Sequence, residues 1–220
     1  MTFKKSILKK DIVIIIPAKN EYYNLIRLLN SLKKYKIDQL IIDDNSTDNT
    51  NKIKNLFSKV KVIKNKTSYG YDKSIKKGLR IAKLNYKYAI TMDADFEHDP
   101  KYIPHFLNNL NKFDLIIGER NRKNRIFEKI FSFLIKKNYQ INDLFCGYRA
   151  INLKYLNLKN LLNNSDLPSV IFNYHKLNQN THNIKINSLE RIDESRFGNS
   201  IIGNYKILNQ FLKIFLFKSS

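Results

Sequence analysis

Short runs rich in β-branched residues alternate with helix-period segments four times in the first hundred residues, and few folds accommodate that rhythm. DIVIII (11–16) and QLII (39–42) read as strands buried on both faces, and 60–63 and 88–92 as a third and a fourth strand. Leu25, Leu28, Leu29 and Leu32 recur at helical spacing after the first run. Ser46, Thr47 and Asp48 are cap residues ahead of a second helix carrying Ile53, Leu56 and Phe57. A third helix over 74–84 puts Ile75, Leu79 and Ala82 on one side. Strand followed by helix, repeated, predicts a right-handed, mostly parallel sheet with helices on both faces, an α/β fold in a single domain. Beyond it the pattern predicts a helix from Pro100 to Leu110, a strand over 114–118 and a basic, partly helical stretch over 119–142. A compact turn with a helix then falls at 143–155, and a late strand at 184–192.

A chain of 220 residues with 43% hydrophobic content suits one such core. Lys and Arg number 40 against 19 Asp and Glu, a formal excess of +21, which favours anionic partners such as nucleotides, lipid phosphates or an acidic membrane surface. Nucleic acid is the other anion to weigh. It calls for basic residues focused on one element beside stacking aromatics, whereas here the bases are scattered and the acids are clustered. The one cysteine, Cys146, excludes an internal disulfide and fits a reducing compartment. No apolar run reaches the roughly 18 residues of a membrane span. The basic start MTFKKSILKKD lacks a signal peptide's apolar core, so the expected location is cytoplasmic, with peripheral contact on the cytoplasmic face of a membrane left open.

In open parallel sheets ligands bind at the carboxyl ends of the strands. Five of the 19 acids fall there: Glu21 after the first strand, Asp43 and Asp44 at the second, Asp93 and Asp95 at the fourth. Any one of these could be an ordinary turn residue. Asp93-Ala94-Asp95 has a more specific use, because carboxylates at i and i+2 on a turning strand end can both reach one hard cation. Mg²⁺ or Mn²⁺ takes such oxygen ligands and shares them with substrate phosphates.

IIIPAKNEYYNL (14–25), LIIDDNSTDNT (40–50), SYGYDKSIKKGLRIA (68–82), TMDADFEHDP (91–100), LIIGERN (115–121) and DLFCGYRA (143–150) occur in this order. Together they resemble the inverting family 2 glycosyltransferases of the GT-A fold, and within them the polyprenyl-phosphate branch similar to dolichol-phosphate mannose synthase. The resemblance implies a GT-A, Rossmann-like domain over residues 1–200. The 201–220 tail, which mixes Ile, Leu and Phe with Lys, reads as an amphipathic segment for a membrane interface or for packing on its own domain or a second subunit. The resemblance also implies that Pro17, Ala18, Glu21 and Asp44 line the base and ribose of a nucleotide-sugar. Asp93 and Ala94 would meet the ribose or sugar, and Asp95 and Glu97 would bind Mg²⁺ or Mn²⁺. Arg120 would meet the donor diphosphate or the acceptor phosphate, and Asp143 would orient the donor sugar. Asp95, Arg120 and Asp143 would form the catalytic set. Arg149, Arg196 and Ser200 would belong to the phosphate and acceptor region. Where relatives commonly carry Gly-x-Ser-Lys the chain reads Arg196-Phe197-Gly198-Asn199-Ser200-Ile201, without the Lys.

The implied reaction moves a hexose from a UDP- or GDP-sugar to a polyprenyl phosphate with inversion at the anomeric carbon. A phosphate acceptor is largely ionised at neutral pH and needs no strong base, and Asp143 is the residue to serve a hydroxyl acceptor instead. The alternative is a family 2 enzyme acting on a saccharide hydroxyl in surface polysaccharide or lipopolysaccharide assembly. A nucleotidyltransferase would be expected to show a Gly-rich basic loop after the first strand, and PAKNEYYN lacks one. His98 reads as loop support, Gly118 and Gly147 as structural, and Cys146 as a packed thiol.

Overall fold

The structure, a computed structural model, describes residues 8–121, 126–162, 166–178, 180–189 and 208–209. Arg196, Ser200 and nearly all of the 201–220 tail lie outside the described residues, as do positions 190–192 of the expected late strand. Seven strands make one sheet: β1 (Ile12–Ala18), β2 (Asp38–Asp43), β3 (Val60–Lys64), β4 (Tyr88–Thr91), β5 (Leu115–Arg120), β6 (Arg149–Asn152) and β7 (Thr181–Ile186). Their spatial order is β3-β2-β1-β4-β6-β5-β7. All neighbours run parallel except β6, which lies antiparallel between β4 and β5. This is the expected mostly parallel α/β sheet.

The helices are α1 (Tyr22–Leu32), α2 (Tyr71–Asn85), α3 (Ile103–Asn109), α4 (Ile126–Tyr139), α5 (Leu158–Leu162) and α6 (Leu167–Asn178). From β1 the chain steps outward through β2 to β3, then α2 carries it back past β1 to β4. Right-handed crossovers in opposite directions put α1 and α2 on opposite faces of the sheet. The reversal opens a crevice between the carboxyl ends of β1 and β4, the switch point where ligands bind in such sheets.

Burial follows the sequence pattern. Every residue of β1 is buried, and α1 buries Leu25, Leu28, Leu29 and Leu32 at 1% exposure or less. Each such leucine contributes about 1.5–3 kcal/mol of apolar burial, so this single stripe fixes how α1 sits. Gly78 lets α2 approach β1 closely, since a Cβ there would lie 2.5 Å from Ile15 Cγ2.

Three expectations need correction, and one helix was not foreseen. The helix after Asp48 is a 3₁₀ helix over Asn49–Asn55, capped by Asp48 through the Thr50 N–H; it stops short of Leu56, which is exposed, so only Thr50 and Ile53 are buried from it. Residues 143–155 hold β6 and a 3₁₀ turn (Leu153–Tyr155) rather than an α-helix, because β4 and β5 leave a slot that only an extended segment fills. The late strand is Thr181–Ile186, shifted toward the N-terminus, with the mixed polarity of an edge strand. Residues 167–178, which carry no evident motif, form α6.

Candidate active site

Three loops at the carboxyl edge are stitched to one another by side chains. The turn after β1 passes through Asn20 in the left-handed region (φ 54°) and the turn after β2 through Asn45 (φ 60°), a conformation Asn tolerates well. The Asn20 N–H donates to Ser46 Oγ at 2.9 Å, and Asn20 Oδ1 accepts from the Thr47 N–H at 2.8 Å. The Glu21 N–H donates to Thr50 Oγ1, and the Tyr22 N–H to Asp48 Oδ2. Glu21, buried at the start of α1, accepts from Asn24 Nδ2 at 2.7 Å. Pro17 and Ala18 form the buried floor beside these turns.

Asp43 is fully buried; its Oδ1 accepts from the Ser46 N–H, and Oδ2 meets no partner among the described residues. Asp44 is engaged on both oxygens. Oδ1 accepts from Asn65 Nδ2 (2.8 Å) and the Tyr69 N–H (2.7 Å), and Oδ2 from Ser68 Oγ (2.7 Å) and the Gly70 N–H (2.9 Å). Burial raises its pKa, but those four donors outweigh burial and hold it below the ordinary value. Asp44 therefore clamps the loop between β3 and α2. Lys19 Nζ reaches the same loop at Ser68 Oγ, 3.0 Å away.

At the end of β4 the chain folds Asp93, Asp95 and Glu97 together, with ligand-type oxygens from all three within 4.8 Å of one another. Phe96 makes this possible by adopting φ 67°, a strained conformation for a bulky residue, and Arg27 lies over its ring at 5.2 Å. The Glu97 N–H donates back to Asp95 Oδ1 at 3.1 Å. The Asp93 N–H donates to His98 Nδ1 at 3.0 Å, which fixes that nitrogen as an acceptor and the ring as the Nε2–H tautomer. His98 is thus loop support, stacked on Tyr148. Asp93 Oδ1 accepts from the Tyr71 hydroxyl at 2.9 Å. Burial, with the Asp93 charge adding to it, pushes the Tyr71 phenol well above its usual pKa, so it remains a donor at neutral pH. Three carboxylate oxygens in this small space suit a hard divalent cation such as Mg²⁺ or Mn²⁺.

Arg120, the last residue of β5, is committed to carboxylates. Its Nε and Nη2 form a bidentate pair with Asp143 (2.8 and 3.0 Å), and Nη2 also contacts Glu128 of α4. Burial opposes the charge, yet Asp143 and Glu128 hold the guanidinium pKa well above its usual value. Asp143 is fully buried. Arg149 on β6 is 2% exposed; Nη2 donates to the Leu144 carbonyl, while Nε and Nη1 find no partner among the described residues. Its charge acts on Tyr71 and Asp72 from within the core rather than from an open face. Cys146 is buried and its thiol is pushed up to about 12, chiefly by burial, so it is an inert packed side chain.

Sequence reasoning assigned Asp93, Asp95 and Glu97 to one place and the structure brings them together. Arg120 and Asp143, 23 residues apart, meet directly. Tyr71, Glu128 and the close approach at Gly147 went unread. A Cβ on Gly147 would lie 2.5 Å from Tyr71 Oη and 2.8 Å from Asp93 Oδ1. No local signal announces these residues, since each acts across a long sequence separation.

Fold and acidic strand ends together define a GT-A transferase domain. Residues 13–161 match the profile described as "Glycosyl transferase family 2", more than half of the chain. The chain belongs to that family, is a glycosyltransferase, and is related to its polyprenyl-phosphate sugar transferases. It is 36% identical over 66% of its length to an uncharacterized protein of Methanocaldococcus jannaschii, of which it covers 72%. A dolichol-phosphate mannosyltransferase of Pyrococcus furiosus is 34% identical over 49% of this chain, which covers only 32% of that longer protein. The UDP-N-acetylglucosamine–dolichyl-phosphate N-acetylglucosaminyltransferase of Methanococcus voltae is 28% identical over 65% of this chain and 70% of its own. Among solved structures, glucosyl-3-phosphoglycerate synthase of Mycobacterium tuberculosis, in complex with Mn²⁺ and UDP-glucose, superposes with a TM-score of 0.72 at 14% identity. That match covers 93% of this chain and 79% of the other, and it speaks to the fold.

Proposed function

We propose that the chain transfers a hexose from a UDP- or GDP-sugar to a polyprenyl phosphate, inverting the anomeric carbon, with Mg²⁺ or Mn²⁺ held by Asp95 and Glu97. The observation that carries this reading is the Asp93–Asp95–Glu97 cluster beside the switch point of the sheet. When bound, the cation would supply electrostatic stabilisation of the departing nucleoside diphosphate. The stitched turns carrying Pro17, Ala18 and Glu21 form the base and ribose side of the donor site, with Asp44 shaping it through the 65–70 loop. Asp93 and Ala94 lie between the nucleotide and the sugar. In this reading Arg120 meets the donor diphosphate or the acceptor phosphate by exchanging one of its carboxylate partners, since Asp143 and Glu128 together neutralise its charge in the unliganded site, and Arg149 adds buried charge. Arg196 and Ser200 complete the acceptor region in this reading.

The Arg120–Asp143 pair also bears on the acceptor. Asp143 is fully buried and spends both oxygens on one guanidinium, so it is not placed to meet a substrate hydroxyl. That favours an acceptor already ionised, and a phosphate monoester with a second pKa near ~6 is one. The names of the archaeal relatives point to the same acceptor class. Further support comes from α4. It exposes Ile130, Phe133 and Leu134 on one face beside the exposed Lys129, Lys136 and Lys137, a combination suited to an anionic membrane surface.

The test is calorimetric titration with UDP and with GDP, with and without Mn²⁺, beside Asp95→Ala. Metal-dependent binding of one nucleotide, lost in the variant, is expected. A folded protein that binds neither nucleotide would end the donor reading. Asp95 is a better probe than Arg120, because removing Arg120 leaves Asp143 buried and uncompensated, a loss of about 3–5 kcal/mol that would confuse folding with function.

A further inference from the structure

The acidic cluster is held from a direction that its own loop does not supply. Asp93 receives a hydrogen bond from a side chain of another element: Tyr71, the first residue of α2, donates its hydroxyl to Oδ1 at 2.9 Å. The loop leading into Tyr71 is itself fixed, because Asn65, Ser68, Tyr69 and Gly70 all donate to Asp44. Gly70 adopts φ 86° with open space around its Cα, so it supplies a backbone bend rather than room. That bend starts α2 one residue later, at Tyr71. On the far side Gly147 leaves just enough space, since any Cβ there would strike Tyr71 Oη, Asp93 Oδ1 and His98 Cε1 at 2.5, 2.8 and 3.0 Å. Backbone clamp, bend, hydroxyl and glycine wall thus converge on one carboxylate.

We infer that Tyr71 is a positioning residue of this site, fixing the Asp93 carboxylate for the cation-bound state and tying it, through residues 65–70, to Asp44 on the nucleotide side. The inference rests on the reading of Asp95 and Glu97 as cation ligands and adds to them Asp93, whose carboxylate lies within 4.8 Å of theirs. A carboxylate on a strand end that is partly open to solvent can turn about its side-chain bonds, and each alternative rotamer dilutes the arrangement that a cation needs. The hydroxyl removes those alternatives. The phenyl ring alone would keep the packing of α2 and not the orientation.

The experiment compares wild type with Tyr71→Phe, titrating Mn²⁺ alone and following loss of the free-ion electron paramagnetic resonance signal, with melting temperature measured in parallel. Expected is Mn²⁺ affinity weakened about ten-fold, in the range found when outer partners of metal ligands are removed, at an unchanged melting temperature. Gly147→Ala, which keeps the hydroxyl and pushes it away from Asp93, is expected to weaken Mn²⁺ in the same direction. Wild-type affinity in Tyr71→Phe would overturn the inference while leaving the cation site intact. Affinity and melting temperature falling together in Tyr71→Phe would assign the hydroxyl a purely structural role. If wild type itself takes up no Mn²⁺, the cation reading fails and the positioning role falls with it.

Discussion

At the scale of single residues, the candidate site is built from carboxylates whose partners differ in kind. Asp44 spends its oxygens on four donors from one loop, Asp143 on one guanidinium, and Asp93 on a phenol. The first of these has a measurable signature. The folded pKa of Asp44 lies below its ordinary value of 3.8, so its stabilising effect is present above pH 3.8. It is lost as the pH falls from there through the lowered folded value. Asp44→Asn puts an amide NH₂ against N–H donors and is expected to cost about 1–3 kcal/mol at neutral pH. Its melting temperature should also change less than that of wild type below pH 4. Melting curves between pH 3 and 7 test this; parallel curves for the two proteins would mean that Asp44 holds the loop without its charge.

Elements are placed by close approach as much as by apolar area. The seam between α2 and β1 depends on Gly78, where a Cβ would lie 2.5 Å from Ile15 Cγ2 and 3.3 Å from Ile42 Cγ1. Gly78→Ala would gain about 1 kcal/mol of helix propensity. It would also overpack a core against a β-branched methyl that cannot swing aside, which costs about 1–3 kcal/mol. Overpacking wins, and a net loss of about 1 kcal/mol is expected in urea unfolding. A stabilised variant would mean that α2 can shift outward freely, which would also loosen Tyr71 from Asp93. Much of this level was legible beforehand. β-Branched runs and leucine spacing give β1 to β4, α1 and α2 within a few residues. β6 and α6 were not legible: a four-residue strand has no period to read, and its place depends on the slot between β4 and β5.

For the whole molecule, the charge excess of +21 and the exposed face of α4 bear on where the enzyme works. Among the described residues no helix is long and apolar enough to cross a membrane. Phe133, 67% exposed, sits between Ile130 and Leu134 with three lysines nearby. Co-sedimentation with vesicles of anionic phospholipid is expected, with little binding to neutral ones. High salt should weaken it, because attraction between exposed charges falls off within about 10 Å at 0.1 M ionic strength. Phe133→Glu should reduce the bound fraction several-fold while leaving nucleotide binding unchanged. Equal binding of the variant would exclude α4 as the contact.

The sequence by itself determined the α/β rhythm, the strand ends at which the acids collect, and the Asp93–Asp95–Glu97 spacing. All three are local properties, set by periodicity and by residues one to four positions apart. Tertiary structure alone decided that Arg120 faces Asp143 and Glu128, that Arg149 is buried, and that Tyr71 reaches Asp93. Those pairings join residues from different strands and helices. Their geometry is fixed only when sheet order, helix packing and the room left by Gly78 and Gly147 are fixed together.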